Sequence, residues 1–325
     1  MRAAIIGVTG RMGQAIVRAA VDAPEVIVVA AVASPASAAL GKDAGELAGI
    51  GKLGVTVTAD LAAALAHADV AIDFSNGAAT QTNLAACRQA RKPLLIGTTG
   101  YPADTDFEAA AKDIPLLVAP NTSLGVTLLI ELVRQAAAAL PAQFDIEIIE
   151  AHHRMKKDAP SGTALALGKA AAEGRSHPLV PVTPAPHGIP PHHGAAPSQG
   201  LAPGQGSVPG QGSAPSQGLA PGQGSVPGQA SAAGQGPAPD QGLAPRQGLA
   251  PRQGGEIGFA VVRGGDIVGE HSVLFAGIGE SLTLSHRATD RALFARGALQ
   301  AAAWLQSRAP GRYFMRDLFT SKSGS

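Results

Sequence analysis

Residues 150–165 read EAHHRMKKDAPSGTAL, so two adjacent histidines and two adjacent lysines run straight into a helix-opening signal. Histidine titrates near neutral pH and can act as a general acid. His152 and His153 follow a strand-like run at 145–150. Lys156 can hold a carboxylate or stabilise developing negative charge. Ser161 is a helix cap by type. Gly162 and Thr163 place backbone N–H groups at the helix start, a ready carboxylate site. The chemistry this combination suits is protonation of a small dianionic substrate. A solvated basic turn before an ordinary capped helix has the same spacing, and Lys157 reads as a surface cation. The rest of the chain decides between the two.

The first 120 residues alternate short apolar runs with helical patterns. Strands are predicted at 3–6, 26–32, 55–57, 69–74, 93–96 and 114–119, and helices at 12–22, 61–67, 78–90 and 104–112. Such alternation predicts βαβ units and a parallel sheet. Gly7, Val8, Thr9, Gly10, Arg11, Met12 and Gly13 stand between the first strand and the first helix, spaced G-x-x-G-x-x-G. Glycines there let the backbone turn sharply and approach a pyrophosphate, and the helix start supplies N–H donors and a partial positive charge. A glycine turn of an unrelated α/β protein shares the spacing, but strand and helix lie where a dinucleotide site needs them. Arg11 is either a phosphate contact or a solvated helix-start arginine.

After the second strand, where an acid usually binds the adenosine ribose, the chain reads Ala31-Val32-Ala33-Ser34-Pro35. With no acid there, nothing repels a 2′-phosphate, and Ser34 can donate to one. NADPH is favoured over NADH on this ground, with use of both left open. The loops Gly97-Thr98-Thr99-Gly100 and Ala119-Pro120-Asn121-Thr122-Ser123 each follow a strand. Loops at strand C-terminal ends line the crevice of an open α/β sheet, and these side chains suit a nicotinamide carboxamide. Ordinary polar turns have the same composition.

The second half changes pattern. A longer helix is predicted at 125–140, a strand at 145–150 and a helix at 161–173. Strand-like runs at 257–262, 267–274 and 281–286 alternate less with helices, which predicts an antiparallel or mixed sheet. A helix at 290–305 follows. Between these lie nine hexads of the form x-Gln-Gly-x-x-Pro, residues 198–251, one of them lacking its second glycine and its proline. Residues 198–211 recur identically as 216–229. Glycine does not recur at every third position, which excludes collagen. A proline in nearly every hexad removes ladder donors, which argues against a β-helix. The segment reads as a disordered, polyproline-like loop with too little apolar surface to offset its ordering entropy. Repeat expansion in a tolerant loop and partner binding are the two readings of its origin. His177, His187, His192 and His193 lie in its Pro-rich flank without cysteine or acidic ligands, so no metal site is expected.

With 325 residues there is room for two domains. A net charge of +1 supplies no global field to draw in nucleic acid or an acidic membrane. The single cysteine, Cys87, rules out a disulfide framework and reads as a buried thiol in a reducing compartment. No apolar run approaches the roughly 20 residues of a membrane span, and the N-terminus has no signal-peptide pattern. A soluble cytoplasmic protein is expected.

The motifs together resemble the 4-hydroxy-tetrahydrodipicolinate reductase (dihydrodipicolinate reductase) family of the diaminopimelate route to lysine. They are GVTGRMG at 7–13, KDAGELAG at 42–49, DVAIDFS at 69–75, GTTGY at 97–101, APNTSLGV at 119–126, EAHHRMKKDAPSGTAL at 150–165 and GEIGFAVVRGGDIVGEH at 255–271. The resemblance implies a Rossmann-type parallel-sheet domain, residues 1–121 and 287–325. It implies a second α+β domain, 122–286, with an open mixed sheet that builds a homotetramer. The low-complexity insertion, 177–254, interrupts this second domain. It implies hydride transfer from NADPH or NADH to a small cyclic dicarboxylate. By position, Gly7 to Met12 look like the pyrophosphate loop. Gly97, Thr98 and Thr99, with Ala119, Pro120, Asn121 and Thr122, look like nicotinamide contacts. His152 looks like the proton donor and Lys156 its partner, with His153, Gly162 and Thr163 as carboxylate binders. Met155, Thr122, Ala33 and the insertion depart from the family pattern. Other readings are a different Rossmann dehydrogenase acting on an amino-acid-like substrate, and a nucleotide-binding scaffold for the repeat.

Overall fold

A computed structural model of the chain describes residues 1–176 and 256–320. The repeat-bearing insertion, with its expected disorder, lies outside the described residues. The N-terminal half runs β1 (Arg2–Ile6), α1 (Arg11–Val21), β2 (Ile27–Val32), α2 (Ala44–Ala48), β3 (Val57–Thr58), α3 (Leu61–Ala66), β4 (Val70–Asp73), α4 (Thr80–Gln89), β5 (Leu94–Ile96), α5 (Phe107–Ala111) and β6 (Pro115–Val118). The C-terminal half runs α6 (Leu124–Ala139), β7 (Asp145–His152), α7 (Gly162–Gly174), β8 (Ile257–Arg263), β9 (Gly269–Gly277), β10 (Glu280–Ala288), α8 (Ala292–Leu305), β11 (Gly311–Tyr313) and α9 (Asp317–Thr320).

The first sheet has seven strands in the order β11-β6-β5-β4-β1-β2-β3, all parallel. Helices cover both faces, so its central strands are largely apolar rather than alternating. Along β1, Ala3 and Ile5 enter the core formed with α1 and α8, while Ala4 and Ile6 enter the core under α3, α4 and α5. Chain order reverses between β1 and β4, and the crevice at such a switch point is where an open α/β sheet binds ligands.

The second sheet has four strands in the order β10-β9-β7-β8. Strands β7 and β8 are parallel, whereas β9 is antiparallel to both β7 and β10, so the sheet is mixed as expected. One face packs Ile146, Ile148, Phe259, Val273 and Phe275 beneath Leu129 and Val133 of α6 and Leu167 and Ala171 of α7. No helix of the described residues packs on the other face, and Ile149 and Val262 there remain 39% and 48% exposed.

Three short elements have no counterpart in the predicted pattern: α2, β11 and α9. The turn holding α2 is organised by Asp43 of the KDAGELAG motif. Its carboxylate accepts from the N–H groups of Gly45, Glu46, Leu53, Gly54 and Val55 at 2.7–3.2 Å. The N–H of Leu53 leads the contributions that hold this carboxyl below the usual carboxylate range. A second difference matters more. Strand β7 continues beyond 150 to His152, because Ala151 and His152 find ladder partners in Val262 and Arg263. His152 is therefore the last residue of a strand, not part of the turn that follows.

Helix α8 returns the chain to the first sheet. A Cβ on Gly297 would overlap the carbonyl oxygen of Thr122, and the Thr122 hydroxyl donates to Phe294 O at 2.6 Å. Gly297→Ala therefore forces the backbone of α8 away from the 119–123 loop. The expected cost is about 1–3 kcal/mol, read as a lowered midpoint in thermal unfolding; an unchanged midpoint would contradict this packing.

Candidate active site

Strand alternation brings Ile146, Ile148, Glu150 and His152 to one face of β7, all buried. Apolar at its lower end, this face turns polar from Glu150 onward. Register adds Arg263 beside His152 and His271 beside Glu150, with His286 next to His271. A cluster of charged and titratable groups thus caps the hydrophobic core of the second sheet at the end where α7 begins.

Glu150 is the hub of this cluster and is 1% exposed. Its Oε1 accepts from the Ser161 N–H at 2.9 Å and from Arg263 Nη2 at 3.0 Å. Its Oε2 lies 2.6 Å from His152 Nδ1. Burial alone would raise the Glu150 pKa, but Arg263, the Ser161 N–H and His152 together bring it below the usual carboxylate value. His152 is pulled down from the ordinary imidazole value, first by burial and then by Lys156 and Arg263, with Glu150 opposing. The rings of His152 and His271 meet edge to face, centroids 5.0 Å apart. The ligand-type atoms of Glu150, His152 and His271 all lie within 4.8 Å of one another, a grouping that residue spacing did not reveal.

Ser161 caps α7, its hydroxyl accepting from the Ala164 N–H at 3.2 Å and lying 3.1 Å from His271 Nε2. A Cβ built on Gly162 would meet nothing within 4 Å, so the first turn of α7 is open. Thr163 Oγ1 accepts from Asn121 Nδ2 at 3.2 Å. That bond ties the helix start to the loop after β6. Lys156 Nζ donates to both carboxylate oxygens of Asp158, at 2.8 and 2.7 Å. His153 is half-buried in the turn after β7, its carbonyl accepting from the Lys156 N–H.

The residues expected to hold a dinucleotide gather at the C-terminal ends of the parallel strands. Gly7 has φ +84°, which favours glycine, and a Cβ there would sit 2.6 Å from Phe74 O. Thr9, Gly10 and Arg11 are exposed, while Val8 is buried in the core, with its N–H on Val32 O. Met12 also packs against that core. Gly10 has no side chain to cap α1, so the first-turn N–H groups are left for an anion. This is a cradle that fits a pyrophosphate. Ser34 is exposed just beyond β2. The Gly97–Gly100 loop is fastened to β4 by buried Asp73, which accepts from Ser75 N–H at 2.8 Å, Asn83 Nδ2 at 3.0 Å and Thr98 Oγ1 at 3.1 Å. The hydroxyls of Thr98 and Thr122 are thus both engaged within the fold, while Thr99 is exposed. Ala119 is buried, Pro120 is exposed and Asn121 is half-buried at the crevice.

Residue types alone had pointed to His152, His153, Lys156, Gly162 and Thr163 in this half, and the structure places them around one strand end and one helix start. Glu150, Arg263, His271 and Asp158 were not among them. Glu150 was legible in principle, since a residue two before His152 on a strand shares its face. Arg263 and His271 join only through strand register across more than 100 positions.

Comparison with known proteins agrees with this geometry. The N-terminal model of dihydrodipicolinate reductase matches residues 1–122 and the C-terminal model matches 125–319. The 4-hydroxy-tetrahydrodipicolinate reductase of Rhizobium rhizogenes strain K84 is 42% identical over 321 residues, 98% of this chain and 96% of that one. That of Alkalilimnicola ehrlichii is 42% identical over 319 residues, 98% of each. Among solved structures, dipicolinate-bound dihydrodipicolinate reductase from Paenisporosarcina sp. TG-14 has a TM-score of 0.63 at 22% identity, covering 97% of both chains. Amine dehydrogenase from Mycobacterium smegmatis has a TM-score of 0.52 at 16% identity, covering 97% of this chain and 95% of that one. These two likenesses are of fold.

Burial, ahead of the nearby His152, pushes the His271 pKa down to about 4 from 6.5, so this ring is neutral when folded at neutral pH. Between these values the unfolded chain binds the proton and the folded chain does not, so stability falls as pH drops through that window. Thermal midpoints should decline from about pH 6.5 to pH 4 and His271→Gln should flatten the decline. Equal slopes for the two proteins would overturn the assignment.

Proposed function

The chain belongs to the dihydrodipicolinate reductase family, and from that premise we propose how its residues divide the reaction. It reduces the 4-hydroxy-tetrahydrodipicolinate/dihydrodipicolinate ring to tetrahydrodipicolinate in lysine (diaminopimelate) biosynthesis, using NADPH or NADH. When bound, the reduced nicotinamide supplies the hydride.

In this reading, Gly7 to Met12 at the start of α1 hold the pyrophosphate, and Ser34 stands by the adenosine ribose. Thr99 and Asn121, with the backbone of Gly97, Thr98, Ala119, Pro120 and Thr122, face the nicotinamide. One substrate carboxylate docks on the open N–H groups of Gly162 and Thr163, where the helix dipole favours an anion. His153 and Lys156 hold the other, with Lys156 exchanging the Asp158 carboxylate for that of the substrate. His152 delivers the proton as negative charge develops on the ring. The observation that supports this most is the Asn121–Thr163 hydrogen bond, which joins the nicotinamide loop to the carboxylate-binding helix start. Holding two reactants in one geometry is itself a large part of catalysis.

The dinucleotide half is assigned residues 1–121 and 287–325, and the substrate half residues 122–286. The sheet face with Ile149 and Val262, which no helix of the described residues covers, suits burial against further copies of the chain in a homotetramer. No helix among the described residues is long and apolar enough to cross a membrane, and the enzyme is assigned to the cytoplasm. Purified protein supplied with the product of dihydrodipicolinate synthase should oxidise NADPH or NADH. Lys156→Ala should lower kcat by about 10²–10⁴-fold with the fold intact by circular dichroism. Undiminished turnover would overturn the role of Lys156, and a monomer in light scattering would overturn the assembly.

A further inference from the structure

We propose that Glu150 is a positioning residue for the reductase: its buried carboxylate pairs with the Nδ1 edge of His152 and leaves Nε2 as the edge that delivers a proton, while Arg263 holds that carboxylate in place. This rests on reading His152 as the proton donor.

An imidazole with no fixed partner can present either nitrogen to a substrate, and its tautomer is set by whichever hydrogen bond the other nitrogen makes. Here that other bond is set by the strand. Glu150 and His152 are two residues apart on β7, so the pleat places both side chains on the same face. Oε2 and Nδ1 lie 2.6 Å apart, an ion-pair contact once the ring is protonated. The carboxylate is not free to turn, because Oε1 is occupied by the Ser161 N–H and Arg263 Nη2. The guanidinium is anchored in turn, Nη2 on Asp158 O at 2.7 Å and Nη1 on Val262 O at 2.8 Å. On the opposite edge of the ring, a Cβ at position 269 would lie 3.1 Å from His152 Nε2, and the residue there is Gly269. One edge of His152 is therefore held and the other is kept clear.

The charges around His152 give this arrangement an electrical consequence. Facing it are Glu150 on its own strand, Lys156 in the following turn (itself paired with Asp158), Arg263 on β8 and His271 on β9, with His286 of β10 beyond. Lys156 and Arg263 oppose protonation of the ring, as does burial, whereas Glu150 favours it. The triad of Glu150, His152 and His271 has the spacing of metal ligands. With Arg263 on the carboxylate and Lys156 nearby, the cation it suits is a proton.

Two substitutions should therefore move the enzyme in opposite directions. A proton donor must be protonated, so kcat falls as pH rises through the His152 pKa. In Glu150→Gln that fall should move down by about one pH unit or more, as expected when an opposite charge is removed. Its plateau kcat should drop about 10–100-fold, the usual consequence of losing an orienting partner, while affinity for dipicolinate stays near that of the parent. In Arg263→Gln the fall should move up in pH, because His152 loses a repelling cation while the Ser161 N–H still holds the carboxylate. A general loosening of the site would not produce shifts of opposite sign. Glu150→Asp should keep the parental limb at reduced kcat, and with Arg263→Gln it decides the question if Glu150→Gln does not fold. A parental profile and parental kcat in Glu150→Gln would overturn the proposal. His152→Gln separates it from its premise. Full turnover there overturns the proton-donor reading itself, whereas lost turnover there beside a parental Glu150→Gln overturns the positioning role alone.

Discussion

A carboxylate sealed from water at the junction of two strands and a helix start is costly unless its charge is matched, and Glu150 is such a group. Its partners come from three places: the guanidinium of Arg263 on β8, the N–H of Ser161 ahead of α7 and the ring of His152 on its own strand. Each partner fixes an element. Arg263 requires that β8 lie beside β7 in register. Ser161 requires that α7 begin directly above the strand end. His152 requires that β7 run two residues past Glu150. The open first turn of α7, suited to a carboxylate, is therefore held beside the histidine suited to give a proton by one buried charge and its ligands.

The parallel pairing of β7 with β8 has a second consequence. Parallel strands need a long crossover, and α7 lies within this one, with residues 177–255 completing it. The repeat falls in that connection. Both ends of the connection are anchored by well-packed elements, and lengthening a closed loop adds only slowly to its entropic cost. This is how a chain can acquire nine proline- and glycine-rich hexads without altering the register that places Arg263 against Glu150.

The two halves of the protein use different means for similar ends. In the first half, glycines and acids shape backbone loops: Gly7 turns in a left-handed conformation, and buried Asp73 and half-buried Asp43 gather N–H and hydroxyl donors. In the second sheet, side chains on one face of the strands do the work. The halves meet where Asn121 donates to Thr163 and where α8 packs its glycine against Thr122. A shift at either contact changes the distance between the loop after β6 and the start of α7, and misplacement of reacting groups by about 1 Å can cost about 100-fold in rate.

Much of this was legible from residue order. The βαβ alternation, the glycine loop before α1, the mixed character of the second sheet and the choice of His152, His153, Lys156, Gly162 and Thr163 as candidates all follow from local pattern and residue chemistry. These are properties of neighbours, since periodicity, turn residues and helix caps act over a few positions. The short elements α2, β11 and α9 escaped notice because each is too brief to show a period. Tertiary structure alone decided which distant groups meet. The pairing of Arg263 with Glu150, the approach of His271 to Ser161, and the placing of His152 at a strand end depend on register between strands more than 100 residues apart. Register is set by the summed packing of whole faces, a long-range quantity that no local stretch encodes. The sequence by itself determined the chemistry available; the fold decided which histidine lies against the buried carboxylate, and by which nitrogen.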